Sequence, residues 1–207
     1  MITAKNLTIQ YIKEYATIFD VNFSIDSNTL ILGNHDEIVA LFRSMCKIDN
    51  HYLGSILIDN NDIKTIADKD LPIAYVPKEP CLFRHKSVKN NLVYPLKIRK
   101  TTKIEIQKRL NYIYENFISN FPLKTSKLTI SQRKIITMLR AYIWSPKYII
   151  LEHFFDDLEK VYVKLANKII KDISKNTIII ASENNENEIY SNFKIIEIEN
   201  GSIKNVT

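Results

Sequence analysis

The sequence predicts an α/β fold, because apolar strands and amphipathic helices alternate along most of the chain. Two apolar runs at residues 148–151 and 177–181 are unbroken, as is typical of strands buried on both faces of a parallel sheet. Helical spacing of apolar residues precedes the first run at residues 131–144 and separates the two at residues 157–174. Strands that alternate with helices need crossover connections, so we expect a sheet with a parallel core.

The individual elements follow from periodicity and from breaker residues. Residues 2–10 and 17–25 alternate apolar and polar positions, which predicts an antiparallel hairpin or meander at the start of the chain. We then predict a strand at 29–32, a turn at Gly33, a helix at 37–45, and strand alternation at 54–66 with a turn at 60–62. A strand at 73–76 is followed by a loop broken by Pro77 and Pro80 and by the start of a helix before Pro95. The rest of the chain is predicted to contain helices at 102–117, 131–144 and 157–174, strands at 148–151, 177–181 and 193–198, a turn at Asn200–Gly201 and a short tail at 202–205.

Composition limits the classes of protein that the chain can represent. With 207 residues, 45% of them hydrophobic, the chain can bury a substantial core without a disulfide or a metal. Cys46 and Cys81 stand far apart, no signal-peptide pattern opens the chain, and no apolar run reaches the roughly 18 residues that span a bilayer. The net charge of +6 comes from scattered lysines rather than one basic arm, so we expect no nucleic-acid partner.

The strand, glycine turn and helix at residues 29–45 have the arrangement of a phosphate-binding loop. The eight residues from the glycine onward are Gly33, Asn34, His35, Asp36, Glu37, Ile38, Val39 and Ala40. A Walker A loop reads G-x-x-x-x-G-K-[ST], so Ile38, Val39 and Ala40 replace its second glycine, its lysine and its hydroxyl residue. Asp36 and Glu37 put two negative charges where phosphates would lie, which we expect to cost on the order of several kcal/mol.

Further phrases follow this loop in a fixed order. They are residues 54–63, residues 73–80 with Lys78, residues 82–83 and 91–96, residues 128–132 with Thr129, Ile130, Ser131 and Gln132, residues 145–153 ending in Glu152 and His153, residues 156–159, residues 177–183 ending in Glu183, and residues 195–203. In order and spacing, over nearly the full length, the chain resembles the nucleotide-binding domain of the ATP-binding-cassette (ABC) family. The resemblance implies a P-loop NTPase-like ABC ATPase fold, with a mixed or parallel sheet core, an N-terminal antiparallel β-subdomain and a helical subdomain. We expect one domain over residues 1–207, with the helical lobe at about residues 80–145.

The same resemblance assigns a role to each site position. The family has a glutamine at Lys78, an L-S-G-G-Q signature at residues 128–132, Asp-Glu at Glu152–His153 and a switch histidine at Glu183. Tyr11 falls where the family stacks an aromatic ring on adenine, although an ordinary strand tyrosine is equally compatible with the position. Residues 82–83 and 91–96 border the groove that receives a permease helix in family transporters, or they are core.

These replacements leave no catalytic residue that we expect to be active. The positions that correspond to cofactor binding are Tyr11, residues 33–40 and residues 129–132, and the four histidines have no metal-ligand spacing. An acid–base pair of His153 and Glu183 remains an alternative, because both side chains can transfer protons.

Two functions are therefore weighed. The first is a pseudo-ATPase that binds no cofactor and serves as a structural or regulatory partner of a membrane permease or of a second ABC ATPase. The second is a weakly active subunit that binds ATP and magnesium, with Glu152 on the metal. The replacements favour the first, because positioning and electrostatics supply nearly all of phosphoryl-transfer catalysis. A homodimer is possible, and a cytoplasmic location, peripheral to the membrane through a partner, is expected.

Overall fold

The computed structural model describes residues 1–12, 15–184 and 187–206, without the side chains of residues 11, 12, 15 and 16. Within these residues the strands are β1 (Ile2–Ile12), β2 (Tyr15–Ile25), β3 (Thr29–Leu32), β4 (Tyr52–Ile58), β5 (Asn61–Asp62), β6 (Ile73–Val76), β7 (Tyr148–Glu152), β8 (Ile178–Ser182), β9 (Lys194–Glu199) and β10 (Ser202–Val206). The helices are α1 (His35–Met45), α2 (Val88–Ile98), α3 (Lys103–Ile113), α4 (Ile130–Tyr142) and α5 (Lys160–Ile173).

The strands form two sheets. The N-terminal sheet is antiparallel with the order β2-β1-β4-β5, and the central sheet has the order β10-β9-β3-β8-β7-β6. In the central sheet only the pairing of β10 with β9 is antiparallel among the described strands. The predicted α/β class, with a mixed sheet core and an antiparallel N-terminal sheet, is confirmed.

Two hydrophobic cores lie on opposite faces of the central sheet. Alternate residues of β7 point to opposite faces, as strand geometry requires, so Tyr148 and Ile150 join one core while Ile149 and Leu151 join the other. The first core is closed by α1 and the N-terminal sheet, and the second by α2, α3, α4 and α5. Every residue of β7 is buried, which is why its first four residues, 148–151, form an unbroken apolar run.

The helical lobe differs from the predicted elements in two places. The helix α2 starts after the N-cap Ser87 and continues beyond Pro95 to Ile98, since a proline in the last turn removes one backbone hydrogen bond without ending the helix. The helix α3 ends at Ile113 and continues as a π-helical turn at Tyr114–Ile118. The division of the chain into a single domain with a helical lobe stays a prediction.

The C-terminal segment was predicted as a tail and is a strand. Residues Ser202–Val206 form β10, which pairs with β9 across the turn at Asn200 and Gly201. The tail prediction is wrong because polar edge positions can still make the backbone hydrogen bonds of a ladder. Among the described residues, no helix combines the length and the apolar character that crossing a membrane requires.

Candidate functional site

The junction of β3 and α1 is much shorter than a phosphate-binding loop. Helix α1 begins at His35, so only Gly33 and Asn34 of the eight residues at 33–40 lie outside it. Asn34 caps the helix, because its side chain accepts a hydrogen bond from the Asp36 amide at 2.9 Å. The helix thus starts two residues earlier than predicted, and the acidic residues of its first turn favour that start.

Part of this junction is turned toward the protein. A Cβ atom on Gly33 would lie 2.6 Å from the Ile198 carbonyl oxygen, so only glycine fits against β9 here. Glu37 is directed away from the open side, since its Oε1 accepts a hydrogen bond from the Gly201 amide at 2.8 Å. Ile38 and Ala40 are buried in the core between α1 and the N-terminal sheet, whereas Asp36 is exposed.

His153 stands directly after β7, in a strained backbone conformation. Its φ is +41°, a region that non-glycine residues occupy rarely and often at functional sites. The side chain is 1% exposed, and neither ring nitrogen has a hydrogen-bond partner in the part of the chain that the structure describes. Burial lowers the pKa of His153, and the ring of His35 lies 5.0 Å from its ring between centroids.

Two carboxylates lie beside His153. One ligand-type atom each from His153, Asp156 and Glu183 falls within 4.8 Å of the other two. Asp156 Oδ2 accepts hydrogen bonds from Lys78 Nζ at 3.0 Å and from Asn184 Nδ2 at 2.7 Å. Although burial opposes it, the hydrogen bond from Lys78 contributes to a lowered pKa of Asp156.

Glu183 is the most perturbed acid of this group. Burial raises its pKa to about 7, and the negative charge of Asp156 adds to the effect. The Phe155 amide donates to Glu183 Oε1 at 3.2 Å, which opposes the increase. Small changes of pH near neutrality therefore change the fraction of Glu183 that is ionised.

Segment 153–159 is fixed by a buried lysine on α4. Lys134 is 3% exposed, and its Nζ donates to the carbonyl oxygens of Phe154, at 3.3 Å, and of Asp156. Burial lowers the pKa of Lys134, and nearby acids oppose this. The sequence pattern gave no signal for this contact, because an amphipathic helix does not reveal which of its polar residues is buried.

Glu152 is held inside the sheet rather than at its open edge. The Tyr75 hydroxyl on β6 donates to Glu152 Oε2 on the neighbouring β7, and Glu152 is 6% exposed. Burial is the main cause that raises the pKa of Tyr75, and the hydrogen bond to Glu152 adds to it. The Glu152 carboxylate therefore already has a hydrogen-bond donor from the protein itself.

We expect Tyr75→Phe to lower the free energy of unfolding by about 2 kcal/mol, because it leaves a buried carboxylate oxygen without its donor. Urea unfolding at neutral pH measures the loss. The matched control is Tyr52→Phe, since the buried Tyr52 hydroxyl has no partner within the described residues. An equal loss in both variants would contradict the assignment of the Tyr75 hydroxyl as the donor that Glu152 needs.

The region of residues 128–132 is an ordinary, fully capped helix start. Thr129 and Gln132 form a reciprocal capping box at the N-terminus of α4. Ser131 is buried and its hydroxyl accepts a hydrogen bond from the Glu159 amide at 3.0 Å, while Ile130 is 60% exposed. The helix begins one residue before the predicted start, at Ile130.

Comparison with known families identifies the class of protein. The family model described as ABC transporter matches residues 40–153, more than half of the chain. The chain belongs to the ABC transporter family.

Relatives with established names agree with this assignment. The sulfate/thiosulfate import ATP-binding protein CysA of Nocardia farcinica is 26% identical over 198 residues, which cover 90% of this chain and 59% of that protein. The lipopolysaccharide export system ATP-binding protein LptB of Haemophilus influenzae is 29% identical over 182 residues, 84% of this chain and 75% of LptB. This ABC protein therefore spans between about half and three quarters of such curated relatives.

Solved structures show the same ABC fold. An ATP-binding subunit of an ABC transporter superposes with a TM-score of 0.87 at 16% identity, covering 100% of this chain and 89% of that one. The ATP-binding cassette MJ0796, in a dimeric post-hydrolysis state with ADP and Pi, gives 0.86 at 17% identity, covering 100% and 98%. The predicted resemblance and fold are confirmed.

The ABC fold brings some of the predicted site residues together and separates others. Lys78, His153 and Glu183 meet around Asp156, which begins the family-like phrase at residues 156–159 and was not among the predicted site residues. Glu152 is turned toward Tyr75 and does not join them. Tyr11 lies in β1, and the prediction for its ring falls outside the described side chains.

Proposed function

We propose that this chain is an ATP-binding-cassette subunit that does not hydrolyse ATP and acts as a structural or regulatory partner of a membrane permease or of a second ABC ATPase. The observation that carries the proposal is the start of α1 two residues after Gly33. A Walker A loop cradles phosphates with backbone amides of an extended loop, and its lysine and hydroxyl contact the γ-phosphate and magnesium. Neither the loop length nor those side chains are available here.

The fit of a magnesium triphosphate to this junction is therefore poor. The Asp36 amide is already occupied by the Asn34 side chain, and the Ile38 amide by the Asn34 carbonyl oxygen. Asp36 adds negative charge to the exposed first turn, and Val39 and Ala40 offer no cation or hydroxyl. Because Glu152 at the end of β7 accepts a hydrogen bond from Tyr75, its carboxylate is not free to bind magnesium.

A partner of permease type is supported by a groove on the helical lobe. Phe83 and Tyr94 pack edge to face with centroids 4.7 Å apart, and together with Arg140 and Trp144 they line one depression. Tyr94 is 39% exposed. An aromatic groove with an arginine is the kind of surface that takes a short amphipathic helix. Through such a partner the chain would be peripheral to the membrane on the cytoplasmic side.

A second cassette is the other candidate partner. The structural neighbour MJ0796 is dimeric, and Ile130 at the start of α4 exposes apolar surface where the family places its signature. A copy of this chain or a different ABC ATPase would cover that residue. In either assembly the role of this chain is structural, because the N-terminus of its helix α1 binds no phosphate.

The deciding experiment titrates the purified chain with a fluorescent ATP analogue and magnesium and measures phosphate release. We expect no saturable binding up to millimolar nucleotide and no turnover above the buffer rate, with LptB of Haemophilus influenzae as the positive control. The variant Tyr11→Ala separates specific from adventitious binding. Micromolar affinity that this variant abolishes, or any phosphate release that grows with protein concentration, would instead support a weakly active ATP-hydrolysing subunit.

A further inference from the structure

The cluster of His153, Asp156 and Glu183 has no role in the proposed scaffold function. Its three residues come from the end of β7, the loop after it and the end of β8, so the fold rather than local sequence assembles them. Two of them, His153 and Glu183, are at most 9% exposed. Burial of an imidazole and a carboxyl group beside a second carboxylate is unfavourable unless these groups are paired or bind a metal ion.

His153 points to a ligand independently of the acids. Both of its ring nitrogens are buried without a hydrogen-bond partner among the described residues, although the side chain is 1% exposed. Buried imidazoles in native proteins normally have a partner on at least one nitrogen. One of these nitrogens belongs to the group of ligand-type atoms within 4.8 Å of one another.

We propose that His153, Asp156 and Glu183 bind a divalent transition-metal ion of the zinc type. One imidazole nitrogen and two carboxylate oxygens suit Zn²⁺, whereas Mg²⁺ prefers an all-oxygen shell that retains several waters. Three protein ligands leave one position of a tetrahedral ion for water. The exposed ring of His35, 5.0 Å from that of His153 between centroids, is a side chain that can compete for it.

The geometry requires only side-chain movement. Bond lengths near 2.1 Å put the ligand atoms of a tetrahedral Zn²⁺ site about 3.4 Å apart. The present separations, up to 4.8 Å, close to that value through rotation of Asp156 and Glu183. These two carboxylates also bring the negative charge that a divalent ion needs.

Lys78 is the group that opposes the ion. Its ammonium lies 3.0 Å from Asp156 Oδ2, and Asn184 donates to the same oxygen. The metal therefore takes the other oxygen of Asp156 or displaces Lys78. Lys78→Gln removes the positive charge at this position, and we expect it to tighten metal binding about 10-fold.

The test uses the full chain, stripped of metal with a chelator, and needs no nucleotide, so its outcome is independent of the ATP experiment. Zn²⁺ is titrated in competition with a chromophoric chelator. We expect one ion per chain with a dissociation constant of micromolar or below, and millimolar Mg²⁺ should not compete. His153→Ala and Glu183→Gln should each weaken binding about 100-fold.

Matched controls distinguish this site from adventitious sites. Cys81→Ser removes an exposed thiol, which is the strongest zinc ligand on the surface among the described residues, and His51→Ala removes an exposed histidine; neither should change the affinity. Circular dichroism verifies the fold of each variant, and Glu183→Gln decides alone if His153→Ala is unfolded. Absence of saturable Zn²⁺ binding, or binding lost in Cys81→Ser and kept in Glu183→Gln, overturns the proposal.

Discussion

The substitution Glu183→Gln is expected to stabilise the protein, and its stabilising effect should be about 3 kcal/mol larger at pH 8 than at pH 4. The reason is that burial raises the pKa of Glu183 to about 7 from its ordinary value of 4.5. A glutamine keeps the shape of the protonated acid and can still accept from the Phe155 amide, but it never becomes charged. The variant thus removes the cost of a buried negative charge.

The direction of the pH dependence follows from the protons bound in each state. Between about pH 4.5 and 7 the folded chain keeps the Glu183 proton while the unfolded chain has lost it. Stability contributed by this residue is therefore present at low pH and is lost as the pH rises through that window. Above pH 7 both states are ionised, so the difference between wild type and Glu183→Gln becomes constant.

His153 acts in the opposite direction, which sharpens the test. Its pKa is lowered by burial, so the stability that it contributes is present above the ordinary histidine value and is lost as the pH falls below it. In wild type the two slopes oppose each other. In Glu183→Gln the opposing slope of Glu183 is absent, and the free energy of unfolding should rise with pH up to neutrality.

Urea unfolding at intervals from pH 4 to pH 8, with a chelator present to exclude metal, measures both curves. Glu115→Gln is the control, since this acid is exposed and its replacement should change stability by less than about 0.5 kcal/mol at every pH. A difference between wild type and Glu183→Gln that stays flat from pH 4 to pH 8 would show that Glu183 titrates normally.

The strands of the sheet could be predicted because each is indicated by the pattern of apolar residues in its own segment. Tyr148 to Leu151 is apolar at every position, and the structure buries every residue of β7. Side-chain periodicity also located β1, β2, β3, β6 and β8 to within a few residues. What periodicity could not supply is the effect of a single cap: Asn34 moves the start of α1 and with it the whole shape of the candidate nucleotide site.

The candidate site itself was only partly predictable, since it depends on strand order. His153 and Glu183 could be named from the motifs, but their proximity follows from the parallel pairing of β7 with β8, where Glu152 faces Ser182. Lys78 could be named from its motif as well, but its partner Asp156 could not. The contact of Tyr75 with Glu152 depends on the register of β6 against β7, which no local pattern specifies.

Asn91 on α2 connects this fold to its proposed permease surface. The side chain is fully buried, and its Oδ1 accepts from the Phe83 amide at 2.8 Å. Its Nδ2 lies 3.1 Å from the Phe83 and Ser87 carbonyl oxygens and 3.2 Å from Thr125 Oγ1. One amide therefore fixes the loop that positions Phe83 in the aromatic groove.

We expect Asn91→Ala to lower the free energy of unfolding by about 3 kcal/mol, because several buried backbone groups lose their partner together. Urea unfolding gives the total loss, and hydrogen exchange of the Phe83 amide reports the loop. Asn90→Ala is the matched control, since the neighbouring asparagine is exposed. If both variants were equally stable, the loop would have to be fixed by its apolar contacts, and the groove would owe its shape to Phe83 and Tyr94 alone.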